Sequence, residues 1–375
     1  MSATRTTPAV VFPKAEKIEI REVQVPPLGP KDVLVRTSVT AISVGTELMV
    51  LRGTFPNQQF PCVVGYQNVG GVVEIGAEVS GLAVGTRVVV QGGTLPPGYY
   101  TGCGVAHIGH LVTHSESCIP LSEGVPDTTA VYGIMAAVGL LGYQFCHEPA
   151  GQVVAVTGQG LIGQFAAQIF RRTGNRVYAS DIKPLRAELS GKYSADVAFC
   201  GPIDAFDRCL RQDYPDGADI LVETTGNTKV FDQSLCLVRK RGLVCVQGHY
   251  PYDLCFSFRV PHGKMVTMVF PCAWGGTPNL KLVEEMMQRG ELTVEPLITH
   301  RLPYTEAPRI YKALLAGDPE VLGVVFIWNA DTIYLGFANP TPACGTAPAP
   351  APPGWRGSCS SAPRRPSGRG FASCG

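Results

Sequence analysis

The chain has 375 residues, with 31 lysines and arginines against 30 aspartates and glutamates, which gives a formal net charge of +1. This length exceeds what one small core requires and predicts two domains. The balanced charge excludes an electrostatic surface for nucleic acid or an anionic membrane, so a small-molecule partner is expected. No apolar run reaches the ~18 residues of a membrane span, and the first residues, MSATRTTPAVVF, lack the apolar core of a secretory signal. The expected location is the cytoplasm.

From about residue 10 to 125, short β-type runs are separated by glycine and proline, as in KDVLVRTSV, NVGGVVEIG and GTRVVVQGG. This pattern predicts a compact, mostly antiparallel β domain. His107, His110 and His114 lie in the stretch HIGHLVTH, where their spacing would place them on one face of a helix. Because GHLVTH is β-like, alternate residues turn to opposite faces, and we expect satisfied or solvated histidines rather than metal ligands. A substrate contact from His107 or His110 remains an alternative.

From about residue 133, apolar strands alternate with helical stretches, which is typical of βαβ units and a doubly wound parallel sheet. In QVVAVTGQGLIGQFAAQIFRRTGNRVYASD we predict a strand over 153–156, a tight turn over 158–163, a helix over 164–172 and a strand over 176–179. The later predicted elements are strands over 220–223, 243–247 and 322–328 and helices over 279–289 and 305–316.

After Trp328 the composition shifts to proline, alanine, glycine, serine and arginine, as in PTPACGTAPAPAPPGWRGSCSSAPRRPSGRG. Such a segment buries too little apolar area to offset its conformational entropy. Residues 330–375 are therefore predicted to be a disordered tail.

A glycine-rich motif, Gly158-Gln-Gly160-Leu-Ile-Gly163, follows an apolar strand and opens a helix, and an acidic residue lies about 20 positions further on, at Asp181. The glycines permit a tight turn, close approach of the backbone to a pyrophosphate, and packing of helix on sheet. The helix N-terminus then offers free N–H groups to the phosphates. The motif predicts a dinucleotide-binding site; a different nucleotide in another Rossmann-like domain is the alternative. The residues predicted to contact the coenzyme are Gly158, Gln159, Gly160, Leu161, Ile162, Gly163, Asp181, Ile182, Arg186, Thr225 and Gln247.

The acidic residue at the end of the second strand predicts NAD as the coenzyme. The Asp181 carboxylate is able to accept hydrogen bonds from both ribose hydroxyls, whereas the 2′-phosphate of NADP would meet a like charge. Lys183 and Arg186 nearby keep NADP open as a less favoured alternative.

The order of a β-rich domain, a Rossmann unit and a C-terminal return resembles the medium-chain dehydrogenase/reductase superfamily, of the zinc alcohol and sorbitol dehydrogenase type. The resemblance spans residues 8–329 and rests on KDVLVRTSVTAIS, the stretch 61–72, GLAVGTRVVV, VETTG and PLITHRLPYTEAPRIYKALLAG. Within the family, the GTE motif at 45–47 and the ending LGVVFIW are most similar to the branch of bacteriochlorophyllide hydroxyethyl dehydrogenase and sugar 3-dehydrogenases. The resemblance implies a Rossmann domain over 133–271, a GroES-like catalytic domain over 8–132 and 272–329, and a homodimer or homotetramer.

The same resemblance places the catalytic zinc ligands of the family at Val44, at Tyr66 followed by Gln67, and near Tyr132. Valine has no lone pair, a neutral glutamine is a poor zinc ligand, and a tyrosine would have to lose a proton whose pKa is about 10. Zinc is therefore not expected.

Without a metal, side-chain hydroxyls must handle the proton and the charge that develops on the substrate oxygen. The resemblance places Thr46 where the family has a Ser/Thr proton relay, and we predict Thr46, Tyr66 and Tyr132 as the catalytic residues. The alternatives are that Thr46 only bonds the backbone of its turn and that the tyrosines only fill volume. Glu47 is expected to be a structural acid that pairs with an arginine rather than a catalytic base. His249 and Tyr250 are candidates for the nicotinamide side or for a surface loop.

The leading functional prediction is an NAD-dependent, zinc-independent dehydrogenase that interconverts a secondary alcohol and a ketone on a sugar, cyclitol or similar ring. The alternatives are a dehydrogenase of a hydroxyethyl-tetrapyrrole of the bacteriochlorophyllide type, a zinc-free quinone or enone reductase, and a non-catalytic NAD-binding protein.

Overall fold

The structure is a computed structural model and describes residues 5–250 and 253–328 together with the backbone of 355–356. The predicted disorder of residues 330–375 lies outside the described residues, apart from Trp355–Arg356, which form a short strand and so differ from the prediction. The described strands are β1 Thr6–Phe12, β2 Glu19–Gln24, β3 Asp32–Ala41, β4 Cys62–Val63, β5 Asn68–Ile75, β6 Arg87–Val90, β7 His110–His114, β8 Cys118–Pro120, β9 Val153–Thr157, β10 Arg176–Asp181, β11 Val197–Cys200, β12 Ala218–Glu223, β13 Val238–Val246, β14 Thr267–Val269, β15 Ile298–Pro303, β16 Gly323–Ile327 and β17 Trp355–Arg356.

Helices follow many of these strands. They are α1 Val44–Arg52, α2 Asp127–Ala130, α3 Gly133–Phe145, α4 Leu161–Arg172, α5 Pro184–Leu189, α6 Ile203–Asp213, α7 Thr228–Ser234, α8 Arg259–Lys264, α9 Gly276–Gln288 and α10 Ala307–Leu315. None of the helices in the described ranges is long and apolar enough to cross a bilayer.

The Rossmann sheet is parallel throughout, with the strand order β14-β13-β12-β9-β10-β11-β17. The chain starts in the centre at β9, moves outward through β10 and β11, and then returns to the other side of β9 at β12. This reversal is the topological switch point at which doubly wound sheets bind ligands. The predicted doubly wound parallel sheet is confirmed.

The predicted helices and strands of this half are present with small shifts at their ends. Helix α4 begins at Leu161, three residues before the predicted start, because Gly160 is extended and acts as the N-cap. Strand β13 begins at Val238, five residues early, because the polar run Arg239–Arg241 continues the strand at the sheet end. Both shifts occur because glycine and charged residues do not show the apolar pattern from which the ends of helices and strands are predicted.

The GroES-like half is a second sheet with the order β15-β16-β3-β5-β6-β8, with β7 also paired to β3. Its neighbours are antiparallel except for β15 and β16. A three-stranded sheet, β2-β1-β4, lies beside it. The predicted antiparallel domain is therefore confirmed, and the last strands of the chain, β15 and β16, extend its main sheet.

One apolar core joins the two halves. Helix α3, whose sequence GIMAAVGLLGYQF is apolar on almost every side, contacts both α4 and α9. The same cluster includes Val39 and Val69 of the GroES-like sheet and Phe165 of α4. Continuous burial across this boundary fixes the walls of the cleft between the halves.

Glu284 on α9 makes the stability of this region depend on pH. Its side chain is 1% exposed, Oε1 has no hydrogen-bond partner, and Ser122 Oγ donates to Oε2 at 3.5 Å. Burial raises its pKa from 4.5 to about 7. The folded state therefore binds the carboxyl proton of Glu284 more tightly than the unfolded state does. The resulting stabilisation of the folded state is complete below pH ~4.5 and is lost as the pH rises through about 7.

We expect Glu284→Gln to remove this dependence, because the amide is neutral at every pH. At pH 8 the variant should be more stable than the parent by roughly 2–3 kcal/mol, and the difference should fall to near zero at pH ~4.5. Denaturant unfolding of both proteins across this pH range measures the difference, and Glu285→Gln on the exposed face of α9 is the control. Parallel pH curves for Glu284→Gln and the parent would refute the assignment.

Candidate functional site

A cleft of about 970 Å³ lies at the carboxyl ends of β9, β10 and β12 and is lined from both halves of the molecule. Its location is the switch point of the parallel sheet, where the strand order reverses. The GroES-like half contributes the start of α1, Tyr66 and Leu322, and the Rossmann half contributes the glycine turn and the ends of its strands. The imidazole of His249 stacks on Phe55 across the boundary, with ring centroids 6.2 Å apart.

The glycine turn has the geometry of a phosphate cradle. Gly158 has φ +84°, which favours glycine, and a Cβ on Gly163 would lie 1.9 Å from the Gly158 carbonyl oxygen. A Cβ on Gly160 would meet nothing within 4 Å, although this glycine lines the cleft. Gly158 and Gly163 are therefore required by the protein's own packing, whereas Gly160 leaves open space that a bound molecule is able to use.

Asp181 is held rigidly beside this turn. The Gln159 N–H donates to its Oδ2 at 2.7 Å, and the Lys183 N–H donates to its Oδ1 at 2.9 Å. The guanidinium of Arg186 lies 3.8 Å from Oδ2. Each carboxylate oxygen keeps a lone pair for a further donor, so the side chain fits a ligand that carries two adjacent hydroxyls.

The two cations near Asp181 differ in what they contact. The Lys183 ammonium donates to the Gly317 carbonyl at 3.0 Å and to the Asp318 carbonyl at 3.3 Å, which ties the Rossmann half to the loop after α10. Arg186 lines the cleft, and its Nε is buried without a hydrogen-bond partner. The Lys183 ammonium thus already donates hydrogen bonds within the protein. Arg186 keeps N–H donors that have no partner among the described residues.

Most residues predicted to contact a dinucleotide line this cleft. Gln159 does not, because its side chain is fully buried and bonds Ser190, while its backbone orients Asp181. Gln247 lines the cleft with its Nε2 donating to the Val138 carbonyl at 2.6 Å and its Oε1 left without a partner. The residues of the prediction that line the cleft are Gly158, Gly160, Leu161, Ile162, Gly163, Asp181, Ile182, Arg186, Thr225 and Gln247.

These features fit a nicotinamide dinucleotide. The empty approach at Gly160 suits a pyrophosphate, the Asp181 carboxylate suits a ribose, and the unpartnered acceptor of Gln247 suits an amide donor.

On the GroES-like side of the cleft, three hydroxyl side chains form a connected group. The Tyr66 hydroxyl donates to Ser43 Oγ at 2.7 Å, and Ser43 Oγ donates to Thr46 Oγ1 at 3.5 Å. All three residues line the cleft. Burial raises the pKa of Tyr66 above its usual value, with the Ser43 hydroxyl acting in the opposite direction. Tyr66 therefore keeps its proton at neutral pH and acts as a hydrogen-bond donor.

Tyr132, the third predicted catalytic residue, does not reach the cleft, so this prediction is wrong. Its side chain is fully buried in the apolar core that joins the two halves, and its hydroxyl donates to the Val324 carbonyl at 3.0 Å. Burial raises its pKa far above the usual value. The tyrosine fills volume and satisfies a backbone carbonyl, which is the structural alternative considered for it.

Glu47 is fully buried and pairs with a histidine and a tyrosine, so the predicted arginine partner is wrong. His107 Nε2 lies 3.0 Å from Glu47 Oε2, and the Tyr311 hydroxyl donates to the same oxygen. His107 Nδ1 contacts Thr40 Oγ1 at 2.7 Å. Because the His107 side chain is completely enclosed, it is a satisfied core histidine and does not contact a substrate. Tyr250 is likewise outside the cleft, where its hydroxyl bonds Glu223, whereas His249 lines it.

The residues at the family's zinc positions do not fit zinc. Val44 has no donor atom, the Tyr66 hydroxyl is engaged with Ser43, and Tyr132 faces the core. Gln67 is buried, with its Nε2 directed to the Ala41 carbonyl at 3.3 Å. In the described parts of the chain, no group of three or more histidine, cysteine, aspartate or glutamate side chains is arranged to hold a metal ion.

The sequence reasoning missed several cleft residues. Ser43 directly precedes α1, where a serine ordinarily caps the helix. Its position in the sequence therefore does not indicate that it connects Tyr66 and Thr46. The residues of the apolar wall of the cleft belong to no chemical motif, so the hydrophobic pattern of the sequence predicts only that they are buried in the core. Apart from Val44, which occupies a zinc-ligand position of the family, this wall consists of Ile134, Met135, Val138, Trp274 and Leu322.

Comparison with known proteins adds two family matches and several relatives. Residues 29–140 match the alcohol dehydrogenase GroES-like domain, and residues 162–288 match the zinc-binding dehydrogenase family. The chain is 26% identical to an alcohol dehydrogenase of Cupriavidus necator over 340 residues, covering 78% of this chain and 91% of that protein. It is 25% identical to the 2-desacetyl-2-hydroxyethyl bacteriochlorophyllide A dehydrogenase of Cereibacter sphaeroides, covering 87% and 99%.

Solved structures share the fold at lower identity. A short chain alcohol dehydrogenase from E. coli CFT073, solved with NADH, superimposes with a TM-score of 0.75 at 16% identity, covering 86% of this chain and 99% of that one. A protein from Sinorhizobium meliloti 1021, solved with NADP, gives a TM-score of 0.74 at 20% identity, with coverages of 86% and 99%. These neighbours confirm the arrangement of a Rossmann domain and a GroES-like domain.

Proposed function

The chain belongs to the medium-chain dehydrogenase/reductase superfamily as an oxidoreductase of CH–OH groups, and we propose that it is an NAD-preferring, zinc-independent dehydrogenase of an uncharged ring alcohol. The proposed reaction interconverts a secondary alcohol and its ketone. The observation that carries the proposal is that a glycine-rich phosphate cradle and a group of three hydroxyls line the same cleft.

The residues of the chain divide the work in the following way. A bound nicotinamide coenzyme supplies or accepts the hydride. Thr46 donates a hydrogen bond to the substrate oxygen, and Tyr66 supports it as a neutral phenol. Neutral donors aimed at an oxygen stabilise the charge that develops there, most strongly where water is excluded.

The distribution of charge in the cleft supports an uncharged substrate. Among the described lining residues, the aspartate, glutamate, lysine and arginine side chains are Asp181, Lys183 and Arg186, all within one short segment at the coenzyme end. Outside that segment the lining includes aliphatic and aromatic side chains such as Met135 and Trp274. A carboxylate, ammonium or phosphate placed there would lose its hydration without gaining an ionic partner. A sugar, a cyclitol or a similar neutral ring is compatible with this lining.

Zinc independence is supported by the donor set at the family's zinc positions. Val44 and the engaged side chains of Tyr66 and Gln67 offer no tetrahedral set of anionic or imidazole ligands. The direct test is metal analysis after mild purification, which should find substoichiometric zinc. A stoichiometric zinc ion that a chelator removes together with the activity would overturn this part of the proposal.

The test of function is turnover on a panel, followed by the absorbance of reduced nicotinamide. The panel contains cyclohexanol and cyclohexanone, myo-inositol, a hydroxyethyl-substituted tetrapyrrole, L-threonine, a sugar phosphate, cyclohexenone and benzoquinone. We expect turnover of neutral ring alcohols or ketones and none of threonine or the phosphate. Exclusive turnover of cyclohexenone or benzoquinone would identify a reductase of carbon–carbon double bonds or quinones instead, and binding of NADH without any turnover would identify a non-catalytic protein.

Coenzyme preference should depend on the charge of Asp181. We expect Asp181→Asn to weaken NADH binding and to narrow the preference for NADH over NADPH by about 10- to 100-fold, because hydrogen bonds to a charged group contribute ~1.5–3 kcal/mol. Fluorescence titration with both coenzymes measures this change. Asp196→Asn is the matched control, since Asp196 also accepts a backbone N–H, from Val177 at 2.8 Å, but lies outside the cleft. An unchanged preference in Asp181→Asn would reject Asp181 as the selector.

A further inference from the structure

Ser43 occupies the N-cap position of α1, yet its hydroxyl does not cap the helix. A serine at this position ordinarily accepts a hydrogen bond from an N–H of the first helical turn. Here the Ser43 hydroxyl is directed to Tyr66 and Thr46, and the side chain is 4% exposed. A local rule is therefore broken at a position that lines the cleft, and such departures concentrate at functional sites.

The backbone around Ser43 is held from the other side. The Ser43 N–H donates to Glu47 Oε1 at 2.8 Å, and the other Glu47 oxygen is fixed by His107 and Tyr311. Because all these side chains are enclosed in the core, they leave Ser43 little freedom to turn. The Ser43 hydroxyl is thus preorganised between the hydroxyls of Tyr66 and Thr46, which both line the cleft.

We propose that Ser43 is a positioning residue that links Tyr66 and Thr46 into one proton-conducting chain, with Thr46 as the terminal donor to the substrate oxygen. This inference rests on the proposed function and deepens it. The donor order runs from Tyr66 to Ser43 to Thr46, so the Thr46 proton is the one left for a ligand. The N-terminal end of α1 lies at the same point, and its partial positive charge favours an oxygen that gains negative charge.

The proton balance of ketone reduction follows this order. As hydride from the bound coenzyme adds to the carbonyl carbon, the π electrons of the C=O bond move to oxygen, which takes the proton of Thr46. Thr46 regains a proton from Ser43, Ser43 regains one from Tyr66, and Tyr66 regains one from water. Alcohol oxidation runs through the same chain in reverse, with the proton released to water.

Ser43→Ala breaks the chain without removing either terminal group. With cyclohexanone and NADH as the probes, we expect kcat to fall about 10- to 100-fold while KM and the affinity for NADH change by less than about 3-fold. We also expect a change in how kcat depends on the fraction of D2O in the solvent. In the parent this dependence should indicate that more than one proton moves in the rate-limiting step, and in Ser43→Ala it should indicate one. The double variant Ser43→Ala with Tyr66→Phe should lose no more than the larger single loss, because both changes interrupt one chain.

The control is Ser234→Ala, which removes a fully buried hydroxyl that donates to the Phe231 carbonyl at 2.8 Å and does not line the cleft. It should leave kcat within about 2-fold. Additive losses in the double variant, or an unchanged kcat and isotope effect in Ser43→Ala, would overturn the proposal. If Ser43→Ala folds poorly, Ser43→Cys replaces it in the same comparison of single and double variants, because a thiol is a weaker hydrogen-bond donor of similar size.

A readout independent of turnover separates this inference from the proposed function. With tyrosine labelled at the ring carbon that bears oxygen, the nuclear magnetic resonance signal of Tyr66, assigned through Tyr66→Phe, should shift in Ser43→Ala and stay unchanged in Ser234→Ala. A shift without turnover on any substrate would refute the proposed function and leave the contact intact. Turnover with no shift would refute the contact.

Discussion

Thr46→Val is expected to lower kcat about 100- to 1000-fold with little change in the affinity for NADH. Valine has nearly the same shape as threonine but lacks the hydroxyl that ends the donor series from Tyr66 through Ser43. Loss of a positioned proton donor costs 10²- to 10⁴-fold in rates of this kind. The measurement is steady-state turnover of cyclohexanone together with fluorescence titration of NADH, which separates loss of chemistry from loss of coenzyme.

Two further tyrosine variants make this result specific. Tyr66→Phe should lower kcat about 10- to 100-fold, because its phenol supports the hydroxyl group in the cleft. Tyr132→Phe should leave kcat within about 2-fold and cost ~1 kcal/mol of stability, since its hydroxyl bonds only the Val324 carbonyl, which also accepts the Ile42 N–H. Full turnover in both Thr46→Val and Tyr66→Phe, or a catalytic loss in Tyr132→Phe, would reject this assignment of roles.

The coenzyme end of the site was predictable from the sequence because its constraints are local. An apolar strand, a glycine turn and a helix lie within one short segment, and the backbone geometry requires glycine at Gly158 and Gly163. Asp181 follows from the length of the same βαβ unit. Only Gln159 departs, since its side chain turns inward to Ser190 and only its backbone contacts Asp181.

The substrate end was less predictable because it is assembled from distant segments. Tyr66 and Tyr132 look equivalent as residues at former ligand positions, yet one lines the cleft and the other bonds strand β16, almost 200 residues away in the chain. Glu47 finds His107 and Tyr311 rather than an arginine for the same reason. Local sequence patterns identify residues with reactive or hydrogen-bonding side chains, but the tertiary packing determines which of these side chains line the cleft.

Gly163→Ala and Gly160→Ala should separate the structural and the binding roles of the glycine turn. A Cβ on Gly163 would lie 1.9 Å from the Gly158 carbonyl oxygen and 2.8 Å from Thr224 Oγ1, so the turn and helix α4 must move apart. We expect Gly163→Ala to lose about 2–3 kcal/mol of folding free energy, which for a chain of this size lowers Tm by roughly 3–4 °C. Differential scanning calorimetry without coenzyme measures this loss.

Gly160→Ala should behave in the opposite way, because its Cβ would enter open space and its φ of −64° suits any residue. We expect its Tm without coenzyme to stay within about 2 °C of the parent, while NADH binding weakens at least ~30-fold because the methyl group blocks the approach of the pyrophosphate. The contrast is decisive because the two changes add the same methyl group three residues apart. If Gly160→Ala bound NADH normally, the pyrophosphate would not lie on this turn, and the coenzyme would have to occupy another part of the cleft.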